Sequence, residues 1–461
     1  MFVPALFDLV HGNEDWRVFT ASGLIVSLIG LGLFAACRGH KGVLNLRQVF
    51  LMSVLIWVVL SAVSALPLYW SSLIDTYTDA FFESMSGLTT TGSTVMVNLD
   101  SAPPGILIWR GMLQWFGGLG IIVMAVSILP MLQVGGMQLF RAEGFDTAEK
   151  ILPSATQISG SLTAIYVGLT VLCSILLMMA GMTPFDSFVH AMTTIATGGF
   201  STRDASIGAF DSAPIDLIIA AFMILGSLPF LLFIKMAQGD LLALTKDSQV
   251  RAFLGTLAGF IILVTALQIA DEKHFGLEAL RHALFNVVSI MTGTGFTTKD
   301  YASWGGFSSA IFFFLMFIGG CAGSTSCGVK IFRWQVLFED LKQHVNSIVY
   351  PHGVFVKRYN GRELPDKVSL AVMSFFFLYI SSFVVLAGLL SLTGMDSVSA
   401  LSGAATAVSN VGPGLGDMIG PAGNFAAVND TAKWLLSLGM LLGRLEFFTV
   451  LVLLMPAFWR S

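Results

Sequence analysis

FFESMSGLTTTGSTV, residues 81–95, has three echoes further along the chain: FVHAMTTIATGGFST at 188–202, FNVVSIMTGTGFTT at 285–298 and SGAATAVSNVGPGLG at 402–416. Aligned on Gly92, Gly199, Gly295 and Gly412, the anchors stand 107, 96 and 117 residues apart. Six residues before each anchor lies a hydroxyl side chain: Ser86, Thr193, Ser289 and Thr406. Four before lies an apolar residue (Leu88, Ile195, Met291, Val408), and three before a small one (Thr89, Ala196, Thr292, Ser409). Five after the last three anchors comes Asp204, Asp300 or Asp417, with Val97 at that place in the first. Recurrence of this kind marks a repeat architecture.

Working outward, each anchor is preceded by a long apolar segment and a short one, and followed by another long one. The chain has 461 residues, 55 % hydrophobic and 11 % charged, against about 25 % charged in soluble domains. Segments at 17–37, 47–70, 106–132, 158–181, 215–235, 252–270, 306–330, 368–391 and 433–457 approach or exceed the roughly 20 apolar residues that a spanning helix needs. Segments 79–91, 184–197, 277–293 and 396–411 are too short to span, and each runs into a Gly-, Thr- or Ser-rich turn. They predict re-entrant helices, whose turns survive at membrane depth only where protein or a water-filled cavity satisfies the backbone. The predicted fold is an all-α integral membrane protein. Four tandem helix–re-entrant helix–turn–helix repeats at 47–135, 136–240, 241–345 and 346–461 surround one pore, behind a leading segment 1–46 with one spanning helix. The first ten residues, MFVPALFDLV, lack the pattern of a cleavable signal peptide and read as the stump of a helix, too short to span.

Basic residues give the orientation. Sixteen Lys/Arg fall in the loops assigned inside and six in those outside, so the turns open outward. Asp75, Asp79, Glu83 and Asp100 cluster near the first turn with no base between them in sequence, an acidic mouth that would attract cations; a solvated loop explains any one of them equally well. The inside segment 331–367 carries mixed charge and predicts an amphipathic helix ending near Tyr350-Pro351. Cys37, Cys173, Cys321 and Cys327 lie in or beside apolar segments with no His or acid cluster, which reads as inert thiols. A net charge of −4 and the absence of any nucleic-acid motif leave no reason to expect a nucleic-acid partner.

A cation in a low-dielectric pore needs oxygens to replace its water shell, and rings of backbone carbonyls supply them in potassium filters. Aiming successive carbonyls at one axis takes unusual φ/ψ, which glycine tolerates. Phe200 and Phe296 follow their glycines and would wedge the turns from behind, while each short helix would aim its negative dipole end at the cavity. An organic-solute carrier fits less well, because carrier repeats are commonly inverted pairs and these four run in one direction. An intramembrane enzyme built on Ser324 or Ser326 lacks a histidine in a segment expected to face them.

Three further features stand outside the turns. The run Gly319–Gly328 (GGCAGSTSCG) interrupts the predicted 306–330 helix. It reads either as a small-residue packing surface or as an unwound loop in the permeation path. Arg444 falls near mid-membrane, where charges are costly and usually face a cavity; pairing with Glu446 or with backbone carbonyls is the alternative. Arg110 reads as a snorkelling or structural arginine.

The turns TTTGSTV, ATGGFSTRD, TGTGFTTKD and SNVGPGLG, with GGCAGSTSCGVK and GRLEFFTVLVLL, resemble the TrkH/KtrB/HKT superfamily of potassium transporters, and its TrkH/TrkG-type potassium uptake proteins most. The resemblance covers nearly the whole chain. It implies potassium uptake in a bacterial inner (plasma) membrane, with Gly92, Gly199, Gly295 and Gly412 as filter glycines. Their filter neighbours would be Thr90, Thr91, Thr197, Gly198, Gly293, Thr294, Asn410 and Val411. Gly92, where sodium-permeable HKT relatives carry Ser, favours K+. It identifies Gly320, Gly323, Ser324, Thr325, Ser326, Gly328 and Lys330 as an intramembrane gating loop, and Arg444 as a cation barrier below the filter. It also implies a homodimer and a cytoplasmic TrkA-like nucleotide-binding regulatory subunit; no nucleotide motif and no organic cofactor is expected in this chain. Whether permeation is passive or coupled to protons or sodium stays open, the lack of an intramembrane acid chain favouring passive flow.

Overall fold

The computed structural model describes residues 1–39, 45–71, 73–127, 155–271 and 276–460. Expectations resting on Lys41, Arg141, Lys150, Lys273, the 135/136 boundary and the end of the 106–132 segment lie outside these residues.

The first unit consists of α3 (Leu46–Ser64) continued by α4 (Leu66–Trp70), the re-entrant α5 (Tyr77–Leu88), and α6 (Pro104–Ser127). The second has α7 (Ala155–Met179), α8 (Pro184–Ile195), and the pair α9 (Ala213–Gly226) and α10 (Phe230–Ala237). The third has α11 (Ser248–Ala270), α12 (Gly276–Thr292), α13 (Gly306–Leu315) and α14 (Ile331–Val349). The fourth has α15 (Asp366–Leu392), α16 (Ser397–Ser409), and the pair α17 (Asp430–Arg444) and α18 (Phe448–Leu454). Each unit is helix, short helix, turn, helix, as the repeat predicts.

The short helices start where the sequence supplies an N-cap. Thr76 and Thr183 Oγ1 accept the backbone N–H of Asp79 and Asp186, both at 3.1 Å, and the Asp396 carboxylate accepts that of Ser399 at 3.0 Å. Such caps contribute about 1 kcal/mol each, and an acid in the first turn of α5 and α8 complements the dipole.

Two segments expected to be continuous helices are broken, and a third, 306–330, is interrupted as its glycine-rich run implied. The 215–235 segment bends by 93° between α9 and α10, at Pro229, whose ring lacks the N–H that the next turn needs. The 433–457 segment bends by 116° between α17 and α18, where Glu446 takes φ +59°. The 306–330 segment is helical only to Leu315 and leaves residues 316–330 as a loop, closed by a parallel bridge between Ile318 and Val329. Six described helices are long and apolar enough to span, or eight if each bent pair counts as one. The first ten residues fold as α1 (Phe2–Val10), too short to span but packed on α2 (Trp16–Cys37) and on α6. Asp8 is fully buried, and its Oδ1 accepts the N–H of Gly105 at 2.7 Å, capping α6 from outside the repeat.

Apolar residues such as Leu28, Ile29 and Leu33 on α2 and Phe377 and Val385 on α15 point outward, as hydrocarbon contact requires. The buried apolar residues form two large clusters. One joins α1 and α2 mostly with units 1 and 4 and takes in Ala322, Val329, Phe332 and Val336 of unit 3; the other joins mostly units 2 and 3. The four turns lie where these halves meet.

Candidate functional site

All four short helices end in the same way. The N–H of Thr90, Thr197, Gly293 and Asn410 bonds the carbonyl three residues back, at 3.0, 3.0, 3.0 and 3.4 Å. The N–H of the next residue (Thr91, Gly198, Thr294, Val411) bonds the carbonyl of Ser86, Thr193, Ser289 or Thr406 at 2.9, 2.9, 2.9 and 3.1 Å. This pair of bonds is the Schellman cap, which demands a left-handed residue at its first position. That residue is Thr90 (φ +53°), Thr197 (+49°), Gly293 (+74°) and Asn410 (+53°). Two β-branched threonines in that region are costly backbone outliers. The anchor glycines then also take positive φ: +87°, +78°, +83° and +112°. Chemically different turns thus share one backbone path.

The anchors face each other in rotation. A methyl group added to Gly92 would lie 2.3 Å from the Gly198 carbonyl oxygen, one on Gly199 1.9 Å from that of Thr294, and one on Gly295 2.1 Å from that of Val411. The ring closes at Gly412, where it would lie 2.9 Å from the Thr91 oxygen. Each glycine therefore abuts the carbonyl of the residue just before the next unit's glycine, in the order 1–2–3–4–1. Gly92 also looks across to the Thr294 oxygen at 3.6 Å, so the ring is narrow.

A bracing layer behind the turns was not legible in the alignment. Nine residues before their anchors stand Glu83, His190 and Asn286, all buried on the short helices. Glu83 accepts from Thr94 Oγ1 (2.9 and 3.1 Å) and Val95 N–H (2.9 Å). His190 Nε2 lies 3.0 Å from Ser201 Oγ, and Asn286 Nδ2 donates to Thr298 Oγ1 at 3.0 Å. In unit 4, Ser402 Oγ does the equivalent with the backbone of Leu415 (2.8 and 3.2 Å). Two side chains of α6 reach into the second turn: Arg110 donates to the Ser201 carbonyl at 2.9 Å, and Gln114 bridges Gly198 O and Phe200 N–H. Asn410 Nδ2 ties the fourth turn to Thr91 Oγ1 at 2.9 Å. Arg110 is 1 % exposed and ion-paired to Glu83, so it is structural and does not snorkel.

The acidic mouth is largely paired through space. Glu83 is buried against Arg110, Asp79 meets Lys433, and Asp100 lies 3.5 Å from Arg203, which also holds Asp186 at 2.8 Å. Asp75 is exposed.

Residues 316–330 lie directly beneath the turns and touch all four units. Cys327 Sγ stands 4.0 Å from Thr90 Oγ1. Thr325 Oγ1 donates to the carbonyls of Ile195 (3.0 Å) and Gly226 (2.8 Å), and Ser326 Oγ to that of Thr292 (2.6 Å). The break between α9 and α10 receives the loop: Cys321 and Thr325 N–H bond Ser227 and Gly226 carbonyls at 3.0 and 3.1 Å, and Phe230 N–H bonds the Gly323 carbonyl at 2.9 Å. Ser324 Oγ turns back onto the Cys321 carbonyl, Gly320 N–H bonds Ser326 Oγ, and Lys330 caps the Ser326 carbonyl. Gly328 takes φ +70° against Gly319. Arg444, 2 % exposed, donates to Thr325 O (3.3 Å), Cys327 Sγ (2.6 Å) and Gly117 O (3.0 Å). It meets backbone carbonyls, as one reading held, while Glu446 pairs instead with Arg333. Arg444 and Lys330 line a cavity under the loop with Ile121, Ser326 and Cys327.

The sequence profile of TrkH, described as a cation transport protein, matches residues 16–461. The chain is 46 % identical over its whole length to the Trk system potassium uptake protein TrkI of Halomonas elongata, covering 94 % of that protein. It is 43 % identical to TrkH of Escherichia coli, covering 96 % of it. It superposes on the crystal structure of the potassium transporter TrkH from Vibrio parahaemolyticus with a TM-score of 0.92 at 41 % identity, covering 100 % of this chain and 96 % of that one. On this evidence the chain belongs to the TrkH family of cation transport proteins and is a multi-pass membrane protein.

Proposed function

We propose that this chain takes up K+ across the inner membrane of a bacterium, the ion passing through the ring of four turns. Potassium is its cargo, and no catalytic residue is assigned. The repeats are divided at 46, 135, 240 and 345. The observation that carries the reading is the closed rotation in which each of Gly92, Gly199, Gly295 and Gly412 abuts the carbonyl preceding the next anchor. Carbonyls so arranged replace the hydration shell of a cation; Thr90, Thr91, Thr197, Gly198, Gly293, Thr294, Asn410 and Val411 complete the filter. The segment Gly320–Gly328 with Lys330 is the gate: it obstructs the path at rest, and Arg444 both holds it and repels cations. A TrkA-like nucleotide-binding ring acts on it from the cytoplasmic side, through 331–367 and the 236–251 loop, and the transporter works as a homodimer.

The test is 86Rb+ uptake by the purified protein in liposomes. Uptake competed by K+ is expected, and deleting Gly320–Gly328 raises it. No cation uptake, or uptake indifferent to K+, refutes the reading; unchanged uptake after the deletion refutes the gate.

A further inference from the structure

A fully buried ion pair of the first unit, Glu83 of α5 with Arg110 of α6, reaches two filter turns at once. Glu83 and Arg110 are 0 % and 1 % exposed, and Arg110 Nε donates to Glu83 Oε1 at 2.7 Å. Burying two charges is favourable only when geometry is good and the remaining polar atoms are satisfied. Both conditions hold here. The second guanidinium nitrogen donates to the Ser201 carbonyl at 2.9 Å and the third to Thr94 Oγ1 at 3.1 Å, while the guanidinium lies over the Phe200 ring at 4.1 Å. The other carboxylate oxygen takes the Val95 N–H.

The positions of these partners matter more than their number. Thr94 and Ser201 occupy the same place in their turns, two residues beyond Gly92 and Gly199. One guanidinium thus spans equivalent points of adjacent units, at the exit of both turns. The comparable braces of units 2, 3 and 4, through His190, Asn286 and Ser402, each stay within one unit.

We infer that the Glu83–Arg110 pair is a strut that sets the separation of the first and second turns and thereby the preference of the ring for K+ over Na+. The two residues are positioning residues; neither touches the ion. The smaller cation needs the carbonyls to close in. A charged strut between units 1 and 2 resists that closure, whereas a neutral bond of the kind found in the other units yields more easily. Hydrogen bonds between ionised partners are roughly twice as strong as neutral ones, and the planar fork of arginine fixes direction as well as distance.

This inference rests on the K+ pathway proposed above, and two readouts keep the two apart. The first is K+ against Na+ permeability in liposomes. The second is ion binding alone, read as the KCl and NaCl concentrations that protect the detergent-solubilised protein from thermal unfolding. Glu83→Gln and Arg110→Gln are expected to raise Na+ relative to K+ at least tenfold in both readouts, with Arg110→Lys intermediate because it keeps charge but loses the fork. Thr94→Val, which removes one hydroxyl and leaves the ion pair, is expected to shift the ratio about threefold, and it decides the matter if the charge variants do not fold. A wild-type ratio in Thr94→Val, or in any charge variant that folds, overturns the strut. A wild-type protein that binds K+ over Na+ without transporting it refutes the proposed function and leaves the strut standing on the binding readout.

Discussion

Gly199→Ala tests the ring at its tightest point. The added methyl would lie 1.9 Å from the Thr294 carbonyl oxygen. Ordinary carbon–oxygen contact is about 3.3–3.6 Å, so the carbonyl or the turn must give by about 1.4 Å. Alanine at φ +78° carries in addition about 1–2 kcal/mol of left-handed strain. The two effects separate with Gly181→Ala, at φ +101° with nothing within 4 Å of the added methyl. That control carries strain of the same kind without the overlap, in the turn between α7 and α8. Displacing a positioned group by about 1 Å typically costs on the order of 100-fold in function. The expected result, by 86Rb+ uptake per folded protein, is therefore a loss of roughly 100-fold for Gly199→Ala and near wild-type flux for Gly181→Ala. The thermal midpoint should fall further for Gly199→Ala, which carries the overlap as well as the strain, and uptake is therefore compared per folded protein. If Gly199→Ala carries Rb+ at the control rate with unchanged preference over Na+, the Thr294 carbonyl is not part of the path and the ring argument fails.

Three further outcomes follow from particular contacts. Gln114→Leu strands the Gly198 carbonyl and Phe200 N–H, each costing about 1–3 kcal/mol when buried unpaired. Discrimination between K+ and Na+ should drop about tenfold in reversal-potential measurements, and an unchanged ratio counts against a role for the second turn. Arg444→Ala removes a positive charge below the ring; a unit charge about 10 Å from a passing cation opposes it by about 1.7 kcal/mol at an effective dielectric of about 20, roughly fifteen-fold in flux. Flux should rise by that order, whereas a lower folded yield with unchanged flux would make Arg444 only a brace for the Thr325 and Gly117 carbonyls. Asp8→Ala removes the cap on α6, at a cost of about 0.5–2 kcal/mol, so the unfolding midpoint should fall measurably in a detergent melt while K+ preference stays put.

Much of the fold was legible because its signals are local. Hydrophobic length marked α2, α3, α7, α11 and α15 to within a few residues, and apolar runs too short to span marked the four short helices. The column of Ser86, Thr193, Ser289 and Thr406 proved to hold the carbonyls that close the four caps. Length and hydropathy failed where a helix breaks without losing its apolar character. Pro229 sat in plain view within 215–235, but the break near Glu446 has no such marker.

From the sequence by itself came four like turns in a membrane, each with a glycine free to take positive φ, because helix caps and apolar length depend on residues a few places apart. Only the tertiary structure decided which carbonyl each glycine abuts, that Arg110 neutralises Glu83, that Lys433 answers Asp79, and that the Gly320–Gly328 loop seats itself in the break after Gly226. These contacts join residues as far apart as Thr91 and Gly412, 321 positions along the chain. Such pairings arise from how whole helices pack around a common centre, and no local pattern encodes that.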